Sequence, residues 1–382
     1  MYPTISHLLF DLFGINIPLP IQTFGFWVAI AFLAASYVIT KELKRKEKEG
    51  FLSVSIIKET IGKSLSTYEI LISLITGFFI GFKLIEAIFH YSDLVLNPQD
   101  FILSSRGSLI GGIFIAITSV YLKWKENKKT KLATPKEIEK TVHPYELVGN
   151  MTMIAAVSGI IGAKIFHNLE NMGAFIADPI GQLIAFSGLT FYGGLIAGAV
   201  SVIWYARRYK INILHLIDAA APALILAYGV GRIGCQMSGD GDWGIDNLAP
   251  KPELMAFLPD WMWSYTFPHN VINAGVPIEG CVGSFCMQLS NPVWPTAFYE
   301  VVMCLLIFSF LWAIRKQIHV PGILFCIYLA LNGIERFFIE KIRINTEYNI
   351  LGGITQAEII SSCFVLIGLI GSVYLFRDSN KI

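Results

Sequence analysis

Tyr228-Gly229-Val230-Gly231-Arg232-Ile233-Gly234-Cys235-Gln236-Met237-Ser238-Gly239-Asp240-Gly241-Asp242-Trp243-Gly244 is the stretch on which the fold turns. An apolar helix beginning near His215 runs into three closely spaced glycines, then presents an arginine where a polar loop begins. Gly229, Gly231 and Gly234 remove side-chain bulk around Arg232, so a second backbone or a lipid headgroup can come close. Two readings fit this segment by itself: a small-residue helix contact whose cation snorkels to an interface, and an anion site.

Working outward, the composition decides the class. A hydrophobic fraction of 54% with only 15% charged residues, and a mean hydropathy of +0.59, do not describe a soluble domain of 382 residues. Long apolar runs between charged loops read as membrane-spanning helices rather than barrel strands. The expected fold is therefore an all-α, polytopic membrane bundle. A net charge of +1 speaks against nucleic-acid binding. No Cys/His spacing fits a metal site, and Cys304, Cys326 and Cys363 lie in apolar runs as small hydrophobes. Cys281 and Cys286 sit in a polar loop, where either a small disulfide or two free thiols is reasonable.

The beginning of the chain lacks the basic region and small-residue cleavage site of a signal peptide, so 23–40 reads as a retained first span. It is followed by the basic run 41–48, which the positive-inside rule assigns to the cytoplasm. Further spans read at 67–90, 107–124, 147–168, 188–206, 215–231, 297–314, 322–340 and 356–375, with lysines and arginines recurring in alternate loops. About nine transmembrane helices follow, with the N-terminus outside and the C-terminus cytoplasmic. Under this topology His167, Tyr192, Arg232, Glu300 and Arg336 all fall near the outer leaflet, although the motifs played no part in placing the spans.

An internal repeat is also legible. Gly81-Phe82-Lys83 aligns with Gly162-Ala163-Lys164, Pro98 with Pro179, and Gly111-Gly112 with Gly193-Gly194, at an offset of 81 or 82 residues. The hairpin at 65–125 thus resembles 147–206 and reads as an inserted copy. Glu86 stands in the first copy where His167 stands in the second, and Ile110 where Tyr192 stands. Residues 250–270 carry nine aromatic or large apolar side chains inside the long loop 232–296, a density suited to the headgroup interface, or to a small folded subdomain.

Four ordered motifs carry a family resemblance. The Gly229–Gly244 stretch resembles G-x-G-R-[IL]-G and its Gly/acid/Trp-Gly sequel in bacterial prolipoprotein diacylglyceryl transferases. Gly188-Leu-Thr-Phe-Tyr-Gly-Gly-Leu-Ile196 looks like their G-x-S-F-H-G-G-L-I, Trp294-Pro-Thr-Ala-Phe-Tyr-Glu300 like H-P-x-Q-L-Y-E, and Arg336-Phe-Phe-Ile-Glu-Lys-Ile-Arg343 like R-x-x-x-E-x-x-R. The resemblance covers 145–376 as a transferase-like core, within one membrane-embedded domain at 1–376. It implies transfer of the diacylglyceryl group of phosphatidylglycerol to the lipobox cysteine of prolipoprotein signal peptides, with no cofactor, in a bacterial inner membrane.

The same resemblance implies roles. Arg232 and Arg336 suit the lipid phosphate, since a guanidinium fork binds phosphate bidentately at any relevant pH. Tyr192 stands where the family has histidine and His167 where it has tyrosine, which suggests an exchange with His167 as the acid-base group. Lys164, Gly193, Gly194, Gly231, Asp240, Gly244, Tyr299, Glu300, Glu340 and Arg343 complete the substrate-binding set. Departures are Cys235 in place of asparagine, an extra residue before Trp243, Trp294 and Ala297 around Pro295, and Lys164 in place of arginine. Two other classes fit less well: a transporter or channel, whose polar residues would line a path across the membrane, and a lipid-binding homologue without catalysis.

Overall fold

The computed structural model describes residues 1–185, 188–345, 347–348 and 353–379. Among these, nine helices of at least 18 residues follow in order: α1 (Thr23–Lys48), α2 (Thr67–Phe89), α3 (Leu109–Thr130), α4 (Val148–Glu170), α5 (Phe191–Arg208), α6 (Ile213–Ser238), α7 (Thr296–Ile314), α8 (Ile323–Glu340) and α9 (Gln356–Ser379). Six segments are long and apolar enough to cross a membrane, those containing α1, α2, α4, α6, α7 and α9. The molecule is a multi-pass helical membrane protein. Local chemistry sets the ends: Ser66 and Glu69 form a capping box at the start of α2, Asn212 accepts from the first amides of α6, and Gly239 at φ 64° closes that helix in the left-handed region.

α6 is the central element, packed along α1 and α7 and touching α8, which packs in turn on α9. Its end differs from the sequence expectation. The helix runs past Gly231 to Ser238, so Arg232 lies inside its C-terminal part and not at the exit into the loop. Gly229 admits Cys304 of α7 and Gly234 admits Phe24 and Trp27 of α1, as close helix contact requires, whereas a Cβ on Gly231 would meet nothing within 4 Å.

The chain is not purely helical. β1 (Ser55–Ile61) pairs antiparallel with β2 (Lys136–Val142), from Ser55↔Val142 to Ile61↔Lys136. These segments are short and lie among charged residues, so their polar alternation is submerged in the basic loops; exposed pairs such as Lys140–Glu59, at 2.9 Å, keep the ribbon's edges polar. The ribbon closes the base of the α2/α3 hairpin, and its inner residue Val142 joins a core with Leu43, Leu52, Leu147, Val148 and Leu216. At the same end Glu42 pairs with Arg315 (3.1 Å) and Lys46 with Asp218 (3.6 Å). Asp218 also accepts from the amides of Gly322 and Phe325, at 2.9 and 3.0 Å, and so caps α8.

The hairpins α2/α3 and α4/α5 are built alike. Each returns through two short helices, Tyr91–Leu96 and Pro98–Leu103 in one, Met172–Ala177 and Pro179–Ile184 in the other. The residues between the short helices, Asn97 and Asp178, share φ −145° with ψ 84° and 79°, and each caps the helix that follows. A Cβ on Gly81 would strike the Gly111 carbonyl, and one on Gly162 the Gly193 carbonyl, so glycine brings the two helices of each pair together.

The loop after α6 holds its own small core of Trp243, Phe267 and Val293, and Cys281 and Cys286 are joined in a disulfide. Its 250–263 portion makes two 3-10 turns. Trp261 packs edge-on against Phe298 in the first turn of α7, at 5.0 Å, while Leu254 and Phe257 stay exposed.

Candidate active site

Three helices converge on one carboxylate. α7 starts at Thr296 and carries Glu300, fully buried, into the bundle. Arg232 of α6 reaches its Oε2 through Nε at 2.8 Å, and Arg336 of α8 reaches its Oε1 through Nη1 at 3.0 Å. The Tyr228 hydroxyl donates to the same Oε1 at 2.6 Å, and Arg343, just beyond α8, stands at 3.8 Å. A buried carboxylate persists only with this kind of compensation, and losing one partner of such a pair costs about 3–5 kcal/mol.

A second carboxylate links loop to helices. Asp242 bonds both Arg232 and Arg343. Gly244 makes the approach possible: its amide donates to the Trp294 carbonyl at 2.8 Å, the next amide donates to Ile342 O at 2.9 Å, and a Cβ would collide with the Ile342 carbonyl. Burial works to raise the Asp242 carboxyl, but the two guanidiniums outweigh it and hold the group below its ordinary value. Asp240 is pushed above its ordinary value, by burial first and then by Asp242. Glu340 completes the set, binding Arg336 (3.0 Å) and accepting from Asn345 (2.5 Å) and Thr355 (2.8 Å). Three guanidiniums thus face three carboxylates, a self-neutralised cluster in which an anion can take over arginine donors.

The residues expected from the sequence divide between this cluster and other work. Arg232, Arg336, Arg343, Glu300 and Glu340 are brought together, Asp240 lies beside Asp242, and half-buried Tyr192 lies within electrostatic reach of Arg336 and Glu340. The Tyr299 hydroxyl donates to Met262 O at 2.8 Å, so it pins the loop. The remaining residues make other contacts. Gly193 packs on Phe166 and Gly162, and Gly194 on Gly159, so they join α4 to α5. Gly244 likewise serves the loop's close approach. Lys164 donates to Ala185 O at 2.8 Å, as Lys83 does to Phe101 O, Ser104 O and Arg106 O in the first hairpin. His167 is not gathered with the guanidiniums: its ring lies against Gly188 and its Nδ1 is 3.3 Å from the Asn171 amide.

Asp242, Tyr228 and Glu335 are the residues that sequence reasoning passed over. Asp242 had a signal, being the extra acid in the loop, but nothing in the sequence says that two arginines would share it. Cys235, Asp240 and Asp242 bring their ligand atoms within 4.8 Å of one another. Asp242 is already engaged by two guanidiniums, whose charge opposes a cation there.

Comparisons with known proteins fit this geometry. The family model described as prolipoprotein diacylglyceryl transferase matches residues 127–374. A phosphatidylglycerol--prolipoprotein diacylglyceryl transferase of Dehalococcoides mccartyi is 26% identical over 239 residues, which is 62% of this chain and 79% of that one. Enzymes of the same name from Corynebacterium glutamicum and Clostridium botulinum are each 29% identical, across 62% of this chain and 71% and 82% of theirs. With the family model covering well over half of its length, this chain belongs to the prolipoprotein diacylglyceryl transferase family.

Proposed function

We propose that the protein is a phosphatidylglycerol–prolipoprotein diacylglyceryl transferase, acting in the first step of lipoprotein maturation. The observation that carries the site is that Arg232 and Arg336, from separate helices, meet on the single buried carboxylate of Glu300. Phospholipid phosphate is the anion that fits guanidiniums at the end of a membrane helix bundle. In the reaction the acceptor's cysteine sulfur forms a C–S bond to the glyceryl carbon, and the C–O bond to phosphate breaks. The thiol loses one proton, and the released glycerol phosphate, now a monoester, can carry one more. Arg232 and Arg336 stabilise the charge that grows on the leaving phosphate. Glu300 and Asp242 hold them in place between turnovers, Arg343 guides the headgroup or precursor, and Tyr192 adds a phenolic hydrogen bond.

Nine membrane crossings follow if each long helix spans once, with the start of the chain outside, its end in the cytoplasm, and the site at the outer leaflet of a bacterial inner membrane. The basic loops favour that orientation. The Cys281–Cys286 disulfide in the 232–296 loop suits an oxidising compartment, and exposed Leu254 and Phe257 in that loop suit one lying on lipid. The 65–125 hairpin is then an insertion before a 145–376 core.

The deciding experiment combines purified protein, phosphatidylglycerol and a lipobox peptide and looks by mass for the thioether-linked diacylglyceryl product. It should form with wild type and be lost with Arg232→Ala. Absence of product from folded wild-type protein in a phosphatidylglycerol bilayer would refute the reading.

A further inference from the structure

A thiol must give up its proton to become a nucleophile, and the carboxylates gathered at the site are poorly suited to take it. Glu300 is held by Arg232, Arg336 and Tyr228, Asp242 by Arg232 and Arg343, and Glu340 by Arg336, Asn345 and Thr355. A carboxylate paired with guanidiniums is a weak base. Asp240 accepts from the Asp242 amide (3.3 Å) at the loop mouth. Glu335 differs in that, among the described residues, no cation pairs with it. It is 3% exposed, neither carboxyl oxygen has a hydrogen-bond partner, and it lies within electrostatic reach of Glu300, Arg336, Arg232 and Arg343. Buried polar atoms are rarely left without partners, and each such atom asks for an explanation. A donor arriving with the substrate is one.

We infer that Glu335 is the proton acceptor for the incoming thiol, an assignment that rests on the diacylglyceryl-transfer reading. The S–H proton passes to the Glu335 carboxylate as sulfur attacks the glyceryl carbon. The C–O bond breaks, its electron pair leaves with the phosphate, and the proton then moves from Glu335 to the departing phosphate monoester, which restores the carboxylate. No other reactant is needed.

Charged and titratable groups face Glu335 from the surrounding elements. α6 contributes Tyr228 and Arg232, α7 contributes Glu300 and Cys304, α8 itself contributes Tyr328 and Arg336, and Arg343 follows α8. α9 meets this stretch of α8 at Gly333 through Ser361 and Val365, and its acid Glu358 is paired with Lys341.

The test replaces the acceptor cysteine by selenocysteine, whose selenol is ionised at neutral pH and needs no base. Glu335→Gln should lower kcat with the thiol peptide by about a hundred-fold or more, the scale of general-base catalysis. KM for phosphatidylglycerol should hold, and the selenol peptide should be used nearly as by wild type. Equal losses with both acceptors would show a structural role and overturn the assignment, as would full activity with the thiol. Should Glu335→Gln fail to fold, wild type decides: the fall in kcat/KM toward acid pH should appear with the thiol and vanish with the selenol, and the same fall with both would overturn it. Wild type inert toward both acceptors would instead refute the transferase reading.

Discussion

The α2/α3 and α4/α5 hairpins share one backbone plan and differ in what their loop ends touch. In the first, Arg106 pairs with Asp93 at 3.1 Å and Glu86 with His90 at 3.1 Å, exposed contacts that close upon themselves, and Ile110 is 83% exposed. In the second, the residue at the place of Ile110 is Tyr192, within electrostatic reach of Arg336 and Glu340. The glycine contact and the lysine that gathers loop carbonyls hold either hairpin together. Since that scaffold needs little from the remaining positions, a few side chains are free to differ, and they decide which hairpin serves the site.

The largest effect should separate the two arginines. Arg232→Ala is expected to cut thioether yield about a thousand-fold, the scale of losing a preorganised charge stabiliser, and to lower thermal stability as Glu300 loses a partner. Arg106→Ala, on an exposed pair, should change unfolding in detergent by less than about 0.5 kcal/mol and leave transfer alone. Equal responses would end the distinction between the buried cluster on α6, α7 and α8 and the exposed pairs of the first hairpin.

Exchanging the paired positions sharpens it. Tyr192→Ile should lower kcat/KM roughly ten- to hundred-fold, as loss of one hydrogen bond to a charged group allows, while Ile110→Tyr should be silent in the same assay. Gly162→Leu and Gly81→Leu should each cost about 1–3 kcal/mol by wedging a helix pair apart, yet only Gly162→Leu should slow transfer. Because Ser55 faces Val142 across the ribbon, deleting 56–141 and closing the gap with a two-residue turn should leave transfer close to wild type; a severe loss would mean that the first hairpin serves the site after all.

The smallest effect concerns the loop clamp, which joins the loop after α6 to α6 and to the end of α8, outside both hairpins. Asp242 is held below its ordinary value in the fold, so its bonds to Arg232 and Arg343 contribute stability above the unfolded aspartate value, and that contribution disappears as pH falls through the lower, folded one. Amide exchange at 241–245, corrected for intrinsic rate, should stay flat from neutral pH down to the ordinary aspartate range and rise only below it.

Much of this was legible in the chain. Apolar runs separated by basic loops announce long helices, because a span needs about 20 apolar residues whatever its neighbours are. The 81-residue offset announces two hairpins of one design, because glycine and lysine act there through contacts within each hairpin. The ribbon was not legible: each strand is stable only beside the other, some 80 positions away, and its polar alternation looks like loop. The C-terminal part of α6 was misjudged because glycines that admit a neighbouring helix look the same in sequence as glycines that end one.

For the site, the sequence by itself determined the membrane class, the family motifs and the presence of arginines near helix ends, since these depend on residue type and spacing. Only the tertiary structure decided that Arg232 and Arg336 share Glu300, that Asp242 clamps the loop, that Gly193, Gly194 and Lys164 serve the scaffold, and that Glu335 stands without a partner. Whether a charge is compensated depends on which distant side chains the packing brings within about 4 Å, and no local pattern encodes that.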